Sequence, residues 1–259
     1  MKVIILCGGK GTRLREETDY QPKPMVNVGG KPILWHIMKV YAHYGYTDFI
    51  LALGYKGNII RDYFLNYDYY TSDFTIQLGE KRHITMHNNH IEKGWRITMV
   101  ETGEDNMTGS RIKQCQPFIN DENFMLTYGD GVSNVNITQL VEFHNSHQKK
   151  GTITGGSPNS RWGEMVVNGN AITRFTEKPD NNKNLINGGF MVFNSKIFDS
   201  IPNDPDCVFE KGPLSNLALE DELRMFKHDG FWSAMDTYRD YLLLNRLHKE
   251  SPPPWFDFS

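Results

Sequence analysis

The sequence predicts an α/β fold: a Rossmann-like, mixed but mostly parallel central sheet flanked by helices. Two observations carry that expectation. Short, continuous apolar runs at residues 3–6, 49–53 and 124–128 read as strands buried on both faces, as in a sheet covered by helices. Between the first two runs, Ile33, Leu34, Ile37, Met38, Val40 and Tyr41 fall at spacings of three and four, the apolar stripe of a helix lying on that sheet. Strand, helix and strand in this order give parallel pairing.

The first run leads directly into Leu6-Cys7-Gly8-Gly9-Lys10-Gly11-Thr12-Arg13-Leu14. Glycines let the backbone take positive φ and let a ligand approach the peptide groups. Successive N–H groups in such a turn can form an anion nest, and Thr12 and Arg13 can add a hydroxyl and a planar fork for phosphate oxygens. A tight strand-to-helix turn that binds nothing is the plainer alternative. Two better-known phosphate loops fail: Gly9-Lys10 is followed by Gly11 where a Walker A loop needs Ser or Thr, and Leu14 stands where a dinucleotide fingerprint needs its third glycine.

Next comes Gln21-Pro22-Lys23-Pro24, a stiff segment because each proline holds its predecessor out of the helical region. It can deliver the Lys23 ammonium to a fixed point, although a surface lysine in a Pro-rich loop is the competing reading. Lys31-Pro32 opens the helix with proline near its first position, and Gly45 ends it. A second helix is expected at about 58–66. Residues 67–96 break the rhythm: polar and rich in His, Asn and Tyr, they alternate as a β-ribbon would, a candidate subunit contact. His83, His87 and His90 invite a metal reading, but on strands that spacing makes no single tetrahedral site.

Residues 97–101 are the next strand, and a helix beginning near Met107-Thr108-Gly109-Ser110-Arg111 points its N-terminal amides back to the same sheet edge. The strand at 124–128 ends in Gly129-Asp130-Gly131, at the carboxyl edge where open α/β sheets place ligands. An Asp-Gly turn alone would explain the glycines but not their position. A helix at about 137–150, a strand at 152–154, Glu177-Lys178-Pro179, and the polar-to-apolar stretch Asn187-Gly188-Gly189-Phe190 follow. Asn187 can both donate and accept toward hydroxyls. The tail holds helices near 197 and 214–219, a strand at 223–227, and Phe231-Trp232-Ser233-Ala234-Met235-Asp236-Thr237. Asp236 also stands where an N-cap for a helix at 237–248 would lie. Pro252-Pro253-Pro254-Trp255 reads as an extended ending docked against a neighbour.

Gly8 to Leu14 with Pro22-Lys23-Pro24-Met25, Tyr128-Gly129-Asp130-Gly131, Glu177-Lys178-Pro179, Asn187-Gly188-Gly189-Phe190 and residues 231–237 together resemble, in order, the sugar-1-phosphate nucleotidyltransferases. The resemblance spans essentially the whole chain. It implies that Leu6 to Arg13, Lys23, Asn106, Arg111 and Gly129 contact the nucleotide, with Lys10 inside the first loop. It implies that Lys178 holds the sugar phosphate, and that Glu177, Asn187, Gly188 and Trp232 line the sugar. Asp130 and Asp236 then hold Mg²⁺, and Arg13, Lys23, Asp130 and Lys178 are the catalytic set. Residues 31–38 and Met107-Thr108-Gly109 before Arg111 are most similar to members that join CTP to glucose 1-phosphate. UTP or dTTP, another sugar phosphate, or a non-catalytic nucleotide-binding subunit are the alternatives. The resemblance also implies a homo-oligomer, a hexamer in that branch.

The totals fit. The chain of 259 residues is long enough for one domain spanning 1–259, with a ribbon at about 67–96 and a C-terminal helix and tail at about 237–259. A net charge of −3 with 23% charged residues offers no polybasic field for nucleic acid. Cys7, Cys115 and Cys207 lie far apart and read as reduced thiols. Only four clearly apolar residues precede the glycines, too few for a signal peptide, and no run approaches the roughly 20 residues of a membrane span. The expectation is a cytoplasmic protein with no membrane partner.

Overall fold

The computed structural model describes the chain except for residues 80–82, 89, 157–163, 169–170, 177–184 and 259; at 15–16, 164–168 and 171–176 it describes the backbone alone. One sheet of eight strands draws on the chain from Val3 to His228. Its strands are β1 (Val3–Leu6), β2 (Asp48–Leu53), β3 (Arg96–Glu101), β4 (Asn123–Tyr128), β5 (Gly151–Gly156), β6 (Ile186–Asn187), β7 (Met191–Asn194) and β8 (Leu223–His228). The path runs β6-β5-β7-β4-β1-β2-β3, with β8 on the other side of β5. Pairings β4–β1, β1–β2, β2–β3 and β5–β8 are parallel, whereas β7 runs antiparallel to β4 and β5. The sheet is therefore mixed and mostly parallel, as the apolar runs predict.

The runs are apolar on both faces because both faces are covered. Val3 and Ile5 of β1 pack with Phe49, Leu51 and Met125 beneath the helix Ile33–His43, which contributes Ile33, Leu34, Ile37, Met38, Val40 and Tyr41. Ile4, between them, points to the opposite cluster with Ile50, Phe124, Leu126, Phe193 and Phe198. Each of these side chains is almost wholly buried, and burial of one contributes about 1.5–3 kcal/mol. Alternation along one strand thus feeds two cores.

Several boundaries differ from expectation for identifiable reasons. Pro32 caps the helix rather than lying inside it, because Lys31–Pro32 pairs antiparallel with Asn27–Val28. Gly45 follows the helix at φ +85°, as expected of a terminating glycine. Among the described residues the ribbon is shorter than the span 67–96: Tyr67–Thr71 is helical, and Phe74–Gln77 pairs with His83–Met86. His87 bonds Thr75 at 2.7 Å, while His90 lies 3.2 Å from Asp68, so the histidines serve different parts of this excursion. The helix expected to 150 stops at His147, where Gln148 turns left-handed at φ +57°. The tail folds back on its own chain. Trp255 is fully buried in its own chain, its indole N–H donating to Nδ1 of His36 at 3.2 Å. Among the described residues no helix is long and apolar enough to cross a membrane.

Candidate functional site

The carboxyl ends of β1 and β4 are adjacent, because the strands pair in parallel with Leu6 opposite Tyr128. The first glycine loop and Gly129-Asp130-Gly131 therefore leave the sheet side by side. They border a cavity of about 320 Å³ lined by Leu6, Cys7, Gly8, Gly9, Gly11, Thr12, Arg13, Lys23, Asn106, Arg111, Gly129 and Asp130 among others. Its size is that of a small-molecule pocket. Each of these twelve is a residue the sequence nominates for the nucleotide or for catalysis. Cys7 at its base is fully buried, which pushes its thiol up and keeps it an uncharged apolar lining.

Lys10 behaves differently. Its ammonium turns to Asp105 at 2.7 Å and does not line the cavity. Within the loop the glycines have separate duties. Gly9 faces open space, with nothing within 4 Å of where a Cβ would stand, so a ligand can meet its backbone. At Gly8 a Cβ would lie 2.1 Å from Nη1 of Arg111: the space a side chain would need is filled by a guanidinium.

Arg111 is not the solvated helix arginine that its sequence context allows. It lies on the helix Thr108–Gln114 and is buried. Nη1 donates to Thr102 Oγ1 at 2.8 Å, to the Gly103 carbonyl at 2.7 Å and to that of Leu53 at 3.2 Å; Nη2 donates to the carbonyls of Gly8 and Glu104, each at 3.0 Å. One planar fork thereby ties the first loop to the ends of β2 and β3. Asn106 sits beside it, its amide donating to the Thr102 carbonyl at 2.7 Å. The expected use of this helix's N-terminal amides is corrected: Met107 N–H donates to the Pro205 carbonyl and Gly109 N–H to that of Cys207, both at 2.8 Å. Those amides hold the 205–207 segment.

Asp130 and Asp236 come together through a short antiparallel pairing. Gly131–Ser133 lies against Trp232–Ala234, and the Met235 N–H donates to the Asp130 carbonyl at 2.8 Å. The N-cap role considered for Asp236 belongs to Thr237, whose hydroxyl and Asp240 make a reciprocal capping box. Asp236 stands one residue earlier, and its carboxylate meets Lys23 and Arg13, both of which line the cavity. Lys23 Nζ lies 2.6 Å from Asp130 Oδ2 and 2.7 Å from Asp236 Oδ1, and Arg13 Nη2 lies 3.1 Å from the same Asp236 oxygen. Burial works against the Lys23 ammonium, but the charge of Asp130 and the bonds to both carboxylates outweigh it and raise its pKa. Two carboxylates converging on one ammonium mark a point where a small cation is held from two sides. Magnesium takes such sites, with one or two carboxylates and the remaining positions left to phosphate oxygens and water. The donor set fits a divalent ion. Among the described residues no cluster of three or more metal-binding side chains occurs.

Three of the residues expected at the sugar, Asn187, Gly188 and Trp232, are linked to one another or to Tyr128. Asn187 donates to the Tyr128 hydroxyl at 3.1 Å, and the Trp232 indole donates to the Gly188 carbonyl at 2.7 Å. Glu177 and Lys178 lie outside the described residues. Sequence reasoning missed Pro24, Met107, Thr108 and Tyr128 as cavity lining, and Glu210, which accepts from both Tyr128 and Thr108. Tyr128 was within reach, since it immediately precedes Gly129-Asp130 at a strand end. Glu210 carries no local signal.

Comparison with known proteins places the chain in a family and supports the fold. Over 256 residues the chain is 45% identical to glucose-1-phosphate cytidylyltransferase of Salmonella typhimurium, covering 98% of each chain. It is 43% identical over 257 residues to the probable glucose-1-phosphate cytidylyltransferase of Bacillus subtilis, covering 98% of this chain and 99% of that one. Among solved structures, UDP-glucose pyrophosphorylase from Acinetobacter baumannii superposes with a TM-score of 0.69 at 18% identity, over 99% of this chain and 96% of that one, an agreement of fold. The model of the nucleotidyl transferase family matches residues 2–246. The chain belongs to that family.

Proposed function

We propose that this protein transfers the cytidylyl group of CTP to α-D-glucose 1-phosphate, giving CDP-glucose and pyrophosphate. The observation that carries the reading is the full-length similarity to glucose-1-phosphate cytidylyltransferases, supported by Arg13, Lys23 and Asp130 lining one cavity and Asp236 meeting the first two. The reaction is an in-line displacement: an oxygen of the sugar phosphate bonds to the α-phosphorus as the bond to the β-phosphate oxygen breaks, and pyrophosphate leaves with that electron pair. Both reactants are polyanions, so repulsion between them is the chief obstacle. The attacking oxygen is ionised at neutral pH and needs no general base. What remains for the protein is positioning and charge neutralisation.

Gly8 to Thr12 hold the triphosphate, with Gly9 offering unobstructed backbone. Arg13, exposed at the mouth, draws charge from the leaving β- and γ-phosphates. Lys23 neutralises the α-phosphate, Lys178 receives the sugar phosphate, and Glu177, Asn187, Gly188 and Trp232 face the hexose. The family typically works with a divalent metal, and the ion read here is magnesium on Asp130 and Asp236. Held by those two carboxylates, it would supply positive charge that offsets the negative charge of the phosphates. The chain is read as one catalytic domain acting in the cytoplasm as a homo-oligomer, a hexamer, to which the exposed Phe74 and Ile76 of the ribbon contribute contacts.

The test is pyrophosphate release across four nucleoside triphosphates and several sugar 1-phosphates, with and without a chelator. The highest kcat/KM is expected for CTP with glucose 1-phosphate, and the chelator is expected to stop release. A higher value for any other pair overturns the assignment.

A further inference from the structure

Glu210 has no place in the chemistry above, yet it joins the two sides of the cavity. Its Oε2 accepts from the Thr108 hydroxyl and its Oε1 from the Tyr128 hydroxyl, each at 2.7 Å. The Thr108 oxygen in turn accepts from the Phe209 N–H at 2.9 Å. The Tyr128 oxygen accepts from Asn187 Nδ2 at 3.1 Å, and Asn187 Oδ1 accepts from the Gly189 N–H at 3.0 Å.

Directions in this chain follow from what each group can do. A carboxylate only accepts, and a backbone N–H only donates. Each hydroxyl has one hydrogen, so both spend it on Glu210, leaving their oxygens as acceptors. Asn187 is then pinned at both ends: its carbonyl oxygen takes the Gly189 N–H, and one Nδ2 hydrogen goes to Tyr128. One N–H is left. Burial first, and then the charge of Glu210, raise the Tyr128 pKa, which keeps its hydroxyl a donor.

We infer that Glu210 is a positioning residue for the sugar side: by taking the Tyr128 hydroxyl hydrogen it makes that oxygen an acceptor for Asn187, so that Asn187 presents a single N–H donor to a hydroxyl oxygen of the hexose. This rests on the reading that Asn187 faces the sugar. It fixes the donor end of Asn187, while Oδ1, which spends one of its two lone pairs on the Gly189 N–H, keeps the acceptor role that the sequence gives it.

The experiment follows the Asn187 side-chain amide by ¹⁵N–¹H NMR, assigned with Asn187→Ser, in wild-type protein and in Glu210→Gln and Tyr128→Phe, alongside steady-state kinetics. Glutamine keeps the shape but must donate with one end, so one hydroxyl has to turn. Both variants are expected to move the Asn187 signals. Both are expected to raise KM for glucose 1-phosphate about tenfold, with KM for CTP within about twofold, and the double variant is expected to be no worse than Tyr128→Phe alone. Asn187 signals unmoved in Glu210→Gln, or equal increases in both KM values, overturn the inference. Signals that move in the variants but ignore added glucose 1-phosphate preserve the relay and overturn the sugar reading of Asn187.

Discussion

The ammonium of Lys23 sits 2.6 Å from Oδ2 of Asp130, joining the Pro-flanked loop after the first strand to the end of the central strand. The same ammonium touches Asp236, so it occupies the side of both acids on which a divalent ion would bind. Lys23→Met removes the competitor for those oxygens. Manganese binding to the nucleotide-free variant, followed by electron paramagnetic resonance, is expected to tighten about tenfold or more, while turnover falls by about a hundredfold or more through loss of a phosphate donor. Weaker manganese binding would show that Lys23 shapes the acids rather than competing for them.

Arg111 is expected to act on stability as much as on nucleotide affinity. Arg111→Met leaves the carbonyls of Gly103 and Glu104 without their Arg111 donor and that of Gly8 with the Tyr55 N–H alone, and a loss of about 3 kcal/mol is expected. Urea unfolding measures it. An unchanged midpoint with impaired CTP binding would assign the residue to ligand contact alone.

Two neighbouring glycines should separate fold from binding. Gly8→Ala drives a methyl into the Arg111 guanidinium and is expected to lower stability by about 1–3 kcal/mol. Gly9→Ala meets nothing and is expected to change stability by no more than about 0.5 kcal/mol, while raising KM for CTP through the methyl it adds to the nucleotide's side of the loop. Thermal melts and kinetics on the pair provide the comparison.

Acid should loosen the C-terminal tail. Burial pulls the pKa of His36 down to about 4, and its two bonds fix a neutral tautomer: Nδ1 accepts from Trp255 while Nε2–H donates to the Val28 carbonyl at 2.8 Å. His248 and Lys31 also face the ring and oppose its charge. With the folded value depressed, the unfolded chain binds the extra proton first. The contribution is therefore complete above about pH 6.5 and is lost as pH falls toward about 4, at up to about 1.4 kcal/mol per pH unit. His36→Gln is expected to flatten that slope in pH-dependent urea melts, and Trp255 fluorescence, measured against Trp255→Phe, is expected to shift over the same window.

The elements that carry ligand chemistry were legible where one stretch of chain contains its own reason. The run Val3–Leu6 shows burial on both faces, and Gly129-Asp130-Gly131 marks a strand end. What stayed hidden depends on distant partners. The sequence leaves Arg111 open between nucleotide contact and exposed surface, because its acceptors belong to the loops after β1 and β3 and to the last residue of β2. Thr237 took the cap from Asp236 because Asp240 completes its box, a local signal that was present and overlooked. Glu210 acquires meaning only when residues 205–210 lie against 107–109, a docking no periodicity announces.

The pairing of Gly131–Ser133 with Trp232–Ala234 has a bearing on biogenesis. Asp130 is synthesised well before Asp236, with most of the sheet's later strands between them. Until the last strand docks, the nascent chain holds a glycine loop and a single carboxylate, unable to clasp an ion between two. On the proposed reading of the two acids, a chain cut between His228 and Asp236 keeps the residues of all eight strands and only half of the cation clasp.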